Sequence, residues 1–165
     1  MKLPGMTCRL SVLVLTFIAP SAAQVEKIAM RTTGISCGVC AGLSEVYFRR
    51  LPGVDQVKIS LPKEAIMLTY KPGAKADPAA IRKVLQPLNV GVTQFQISAR
   101  GQVKEQGGQR SFVAGKDRFV VLDAIDSPAI PHDTPVMIEA ILYDRATPME
   151  VKILSAKPVQ QEGHH

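Results

Sequence analysis

Hydrophobic and polar positions along this chain follow three rhythms in turn. From Leu10 to Ala19 the residues are apolar except for Ser11 and Thr16. From Val25 to about Ser98, short alternating runs trade places with helical stripes, and beyond Ala99 only alternation remains. In the middle stretch Ile28 and Met30 alternate with charged neighbours, which predicts a strand. Leu43, Val46, Tyr47 and Leu51 then fall on one stripe of a helix from Cys40 to Leu51, ended by Pro52-Gly53. Val57, Ile59 and Leu61 alternate with Lys58 and Ser60. After a Pro62-Lys63-Glu64 turn, Ile66, Leu68 and Tyr70 alternate again. Asp77 before Pro78 marks a second helix start, a capping carboxylate followed by a proline whose missing donor costs nothing at that position. Ile81, Val84, Leu85 and Leu88 lie at i, i+3, i+4 and i+7 and give this helix one apolar face, and Val92 to Ile97 reads as a last strand. The order β-α-β-β-α-β is that of a ferredoxin-like sandwich, with two helices on one face of a four-stranded antiparallel sheet.

Past Ala99 the helical period is gone. Gln102–Glu105, Gln109–Ala114, Arg118–Asp123, Val136–Tyr143 and Val151–Ser155 each read as strands. Gly107-Gly108 and Gly115-Lys116 supply hairpin turns, and Pro128, Pro131 and Pro135 crowd a longer connection with room for a short helical turn. Five short strands suggest a small, partly open barrel of OB type. The whole is therefore expected to be α+β. A ferredoxin-like domain over 24–98 runs almost directly into an OB-like β domain over 99–159, and a loose tail spans 160–165.

The first rhythm is an address. Lys2 and Arg9 precede the apolar run, Pro20 breaks it, and Ser21-Ala22-Ala23 offers small residues at a cleavage site, the layout of a secretory signal over 1–23. The run is shorter than the ~20 residues of a membrane span. The chain is accordingly expected in the periplasm or secreted, with no stable membrane insertion after cleavage. Losing Lys2 and Arg9 leaves 18 basic residues against 14 acidic, spread along the chain with no run longer than Arg49-Arg50. This reads as a solvated basic surface, and nucleic acid is not expected as a partner. Cleavage also removes Cys8, leaving Cys37 and Cys40.

Those two carry the chemistry. Gly34-Ile35-Ser36-Cys37-Gly38-Val39-Cys40 lies between the first strand and first helix, so both sulfurs sit at a helix N-terminus, where unpaired backbone donors favour the thiolate. Two soft thiolates alone suit an ion content with low coordination: Cu(I) first, Hg(II) as a toxic analogue. Structural zinc wants four ligands, and no second Cys/His pair stands at ligand spacing. His132, within Pro131-His132-Asp133, reads as an exposed loop residue. His164 and His165 read as an incidental terminal pair, and Met30, Met67, Met137 and Met149 are too scattered for a thioether cluster. In an oxidising compartment the same spacing would serve thiol–disulfide exchange, or a static disulfide.

Residues 26–97 resemble the heavy-metal-associated domain of copper chaperones, copper ATPase N-terminal modules and periplasmic mercury-binding proteins. The family motif Gly-Met-Thr-Cys-x-x-Cys is matched by Gly34 to Cys40. Leu51-Pro52-Gly53-Val54-Asp55-Gln56-Val57 matches its helix-to-strand turn, and Pro78 to Leu88 its second helix. The chain departs from the family at Ile35, which replaces the usual methionine under the loop. Leu88-Asn89-Val90-Gly91 stands where the family often carries an aromatic or a lysine near the metal. The resemblance implies transfer of a bound ion to a partner by thiolate exchange. The expected function is thus a non-enzymatic carrier or scavenger of Cu(I) or Hg(II), with Cys37 the more exposed ligand and Cys40 the one nearest the helix dipole. Its partner would be a transporter or metalloenzyme that donates or accepts metal. The alternative is a thiol–disulfide reductase, or an interaction module with the disulfide fixed.

Overall fold

The computed structural model describes residues 24–35 and 37–159, so the expected signal over 1–23, Ser36 and the tail 160–165 lie outside the described residues. The elements in chain order are β1 (Gln24–Thr33), α1 (Gly38–Phe48), β2 (Val54–Ser60), β3 (Ala65–Tyr70), α2 (Pro78–Leu85) with a 3-10 turn over Gln86–Leu88, and β4 (Gly91–Gln106). The second half adds β5 (Gln109–Ala114), β6 (Asp117–Val121), β7 (Val136–Tyr143) and β8 (Glu150–Pro158). The first four strands pair antiparallel in the order β2-β3-β1-β4. With α1 and α2 on one face this is the ferredoxin-like arrangement, and the chain is α+β.

Local chemistry sets these boundaries. Asp77 Oδ1 accepts from the Ala80 backbone N–H at 2.9 Å, so the predicted cap is made, and Pro78 occupies the first helical turn. Ile81 and Leu85 are fully buried, with Val84 and Leu88 packed at the edge of the same core. In β1 a register shift at Glu26 puts Val25, Ile28, Met30 and Thr32 all on the core side.

Three expectations need correction. The stripe Leu43, Val46, Tyr47 on α1 does not face the sheet: these residues are 43, 48 and 39% exposed, while Ser44 and Phe48 are fully buried. Phe48 outcompetes its neighbours because one phenyl ring fills the space above the sheet, and Ser44 reaches the same face by donating its hydroxyl to the Cys40 carbonyl at 2.8 Å. Next, the two strands read on either side of residue 98 are one strand of 16 residues, β4. Gly101 allows this continuity, because a Cβ there would stand 2.2 Å from the Val113 carbonyl oxygen of β5. Last, the connection between β6 and β7 holds no helical turn among the described residues. It instead bridges His132 to Val103 in parallel register.

β4 serves both halves. Its first part lies between β1 and β7, and its last part pairs with β5. β5 pairs β6, β6 pairs β8 in parallel, and β8 pairs β7, which returns to β4, so five strands close a barrel. Phe95, Ile97 and Ala99 face the helices and Val103 and Phe112 fill the barrel as parts of one core.

Two polar struts join the halves. Arg82 of α2 forms a forked ion pair with Asp144 after β7, at 2.6 and 2.9 Å, and its guanidinium stacks 4.9 Å from the Phe95 ring centroid. The pairing holds the Asp144 carboxyl below its usual range. On the other side Asp117, 3% exposed, accepts from the Ala76 N–H at 3.2 Å through Oδ2, while Oδ1 has no partner. Burial pushes this carboxyl up, Ala76 and Lys75 pull it down, and Asp77 adds to the rise. An acid whose folded value is raised binds its proton more tightly folded than unfolded. Its contribution to stability is present at low pH and is lost as pH rises from about 3.9 through the raised value. We expect Asp117→Asn to flatten that part of the profile and to gain about 1 kcal/mol at neutral pH by removing a buried charge. Urea midpoints at pH 4.5 and 7.5 check this, and a variant less stable at both would refute it.

Candidate metal-binding site

The loop from Gly34 carries β1 over into α1. Gly34 has φ +87°, a left-handed conformation, and a Cβ there would lie 2.8 Å from the Asn89 carbonyl oxygen. The loop is thus held against the turn that starts β4. Ile35 is fully buried beneath it and takes the place expected of the family's methionine. Val90 is buried too, so the neighbouring loop presents neither an aromatic nor a cation.

Cys37 has extended backbone and occupies the N-cap of α1, where its Sγ accepts from the Cys40 backbone N–H at 3.1 Å. The sulfurs are 2.7 Å apart, joined by a hydrogen bond, and neither cysteine is in a disulfide. Cys37 is exposed and Cys40 half-buried. The bond between the sulfurs is the largest influence on both thiols. It holds Cys37 below the usual thiol range, helped by backbone donors, and pushes Cys40 above it, helped by burial and by the Cys37 charge. Of the two thiols Cys37 is therefore the readier to lose its proton. Cys40 lies in the first turn of α1, while the capping position belongs to Cys37, the more acidic of the two.

The other sequence-flagged groups lie elsewhere. His132 Nε2 is 3.4 Å from Glu105 Oε2 on the barrel, half exposed. Met30 is buried in β1, while Met67, Met137 and Met149 are half-buried in or beside three different strands. His164 and His165 lie outside the described residues. Among the described residues no group of three or more His, Cys, Asp or Glu side chains converges. What sequence reading missed is the exposed apolar stripe beside the sulfurs. Val39, between the two cysteines, is 72% exposed and continues into Leu43, Val46 and Tyr47. The spacing of Ser44 and Phe48 was the available signal, since those two define the opposite face.

No family model matches the chain. It is 32% identical over 69 residues, 42% of its length, to a copper-exporting P-type ATPase of Bacillus subtilis. It is 21% identical over 141 residues to a copper-exporting P-type ATPase of Staphylococcus epidermidis. It spans 8% and 17% of the length of these relatives. Among solved structures, a CopZ metallochaperone aligns at 18% identity and TM-score 0.37, covering 41% of this chain and 98% of that one. The N-terminal soluble domains of Bacillus subtilis CopA align at 28% identity and TM-score 0.37, covering 50% of this chain and 54% of that one.

Proposed function

We propose that this chain, which carries a heavy-metal-associated domain over a segment of its length, is a non-enzymatic copper carrier that binds Cu(I) through the Cys37 and Cys40 thiolates and passes it to a metal-handling partner. The observation that carries this is the meeting of two free sulfurs at the exposed N-terminus of α1. Cys37, the readier thiolate, bonds the ion first. Cys40 then releases its proton to solvent as it closes the two-coordinate site. Transfer reverses this order: a partner thiolate bonds the ion as the exposed Cys37 sulfur lets go, so coordination is never lost. Copper ranks ahead of Hg(II) because the relatives carry copper in their names, and Zn(II) ranks last because two thiolates leave it short of ligands. Titration of reduced protein with Cu(I) against a chelator tests the reading. One tightly bound equivalent is expected, and binding left unchanged when both cysteines are replaced by serine would sink it.

The exposed stripe from Val39 to Tyr47 supplies the docking face, because a partner that reaches the sulfurs must cover Val39. Leu43→Asp is expected to slow copper transfer to a partner at least tenfold while leaving Cu(I) affinity and thermal stability within error. A transfer assay between purified proteins decides it, and unchanged transfer removes the stripe from the mechanism.

Residues 1–23 are read as an export signal, which places the mature chain in the periplasm or outside the cell. N-terminal sequencing of the exported protein should begin at Gln24. Residues 99–159 are read as an OB-type barrel, supported by a closed order of first-second-third-fifth-fourth strand with the third and fifth parallel. One observation favours a second reading. The close sulfurs and their split acidity also suit a thiol–disulfide reductase, and insulin reduction above the free-thiol background would favour it.

A further inference from the structure

The helices cover one face of the sheet, and the other is open. Strand register aligns Lys58, Met67, Ala29, Gln96, Ile141 and Lys152 in one row across β2, β3, β1, β4, β7 and β8. Their sequence neighbours Leu68, Ile28, Ile97 and Ala140 are buried, so the row looks away from the core. At about 4.8 Å per strand it runs roughly 24 Å. Lys27, Arg31, Arg100 and Lys157 stand on the same face in the adjoining rows, giving six cations with the row's two ends. Against them are Glu26, Asp55, Glu139 and Glu150. Glu26 is already paired with Arg100 at 2.9 Å, and Glu139 accepts from Ser98. Lys27, Arg31 and Lys58 are exposed and have no ion-pair partner among the described residues. Basic residues that look scattered along the sequence are gathered by the fold onto one face.

The centre of this face mixes Ala29 and Gln96 with the half-buried Met67 and Ile141 and has no aromatic side chain to anchor a protein partner. The large apolar side chains exposed on these strands are at the β7–β8 side, Tyr143 and Leu154, and a tyrosine there suits the headgroup level of a bilayer. Spread charge with an amphipathic rim matches a plane of negative headgroups better than a shaped protein surface. We infer that the open sheet face is a peripheral docking surface for anionic membrane lipid. The cysteine loop, at the end of the sheet between β1 and α1, and the α1 stripe, on the helical side, are left free for a partner when the face is down.

The test is sedimentation of protein beginning at Gln24 with phosphatidylcholine vesicles prepared with and without phosphatidylglycerol. The described residues share one core from that point on. Binding is expected only with phosphatidylglycerol and is expected to fall away in high salt. At roughly fivefold per cation, Lys27→Glu, Arg31→Glu and Lys58→Glu together should weaken it at least a hundredfold, with Cu(I) affinity unchanged. Arg49→Glu with Arg50→Glu, on the helical side, should leave most of it intact. If the triple reversal does not fold, Lys27→Gln with Lys58→Gln replaces it, with about a 25-fold loss expected. Equal binding to both vesicle types, equal loss in the helical-side control, or no sedimentation at all, the outcome if the face serves an acidic protein, overturns the inference.

Discussion

Replacing Cys37 by serine should cost at least a thousandfold in Cu(I) affinity while leaving the fold as stable as before. The loss follows from donor chemistry: a two-coordinate soft ion that trades one thiolate for a hydroxyl keeps a single good ligand. The preserved stability follows from position. Position 37 is the N-cap of α1, and a serine hydroxyl accepts from the Cys40 N–H as the sulfur does, among the best of all capping groups. Cys40→Ser should match it in affinity, since no third ligand stands ready to compensate. The two differ in the apo protein. The Cys40 thiol is the first cause of the heightened Cys37 acidity, so Cys40→Ala should move the Cys37 alkylation profile toward higher pH. The backbone donors hold it partly down. Equilibrium competition for Cu(I), thermal unfolding and the pH dependence of alkylation separate these effects. A serine variant that loses metal only in proportion to lost stability would count against direct ligation.

The second large effect is expected far from the sulfurs. Gly101→Val should destabilise the protein by about 3–5 kcal/mol, a large share of the 5–15 kcal/mol that holds a typical domain. Strand propensity alone predicts the opposite sign, because glycine inside a strand costs roughly 0.5–1 kcal/mol relative to alanine. Packing wins. The new Cβ would meet the Val113 carbonyl oxygen at 2.2 Å and the Phe112 ring at 2.9 Å. The carbonyl belongs to β5, whose Val113 lies opposite Gln102, so it cannot retreat without opening the ladder that closes the barrel. Gly101→Ala carries the same Cβ and should lose at least 2 kcal/mol. An unchanged urea midpoint for the alanine variant would show that β5 yields more easily than its pairing implies.

Much of this architecture is legible residue by residue. Asp77-Pro78 announces α2 because a capping carboxylate and an N-terminal proline act within one turn of chain. The alternation in β2, β3 and β7 marks half-buried strands because side-chain direction has a period of two. The cysteine spacing keeps two sulfurs together because three residues of backbone cannot carry them far apart. α1 misled because its sequence carries two competing stripes. Only the depth of the space above the sheet selects Phe48 over Leu43 and Tyr47. The continuity of β4 past residue 98 was hidden because a change of partners leaves no mark on the alternation.

The sequence by itself therefore determined the ferredoxin-like order of elements and the pairing of Cys37 with Cys40, because both rest on contacts within a few residues. Tertiary structure alone decided which α1 stripe stays exposed and how Lys27, Arg31 and Lys58 come to share an open face. Both depend on groups that are distant in the chain and meet only once the helices have docked and β2, β3 and β1 have paired.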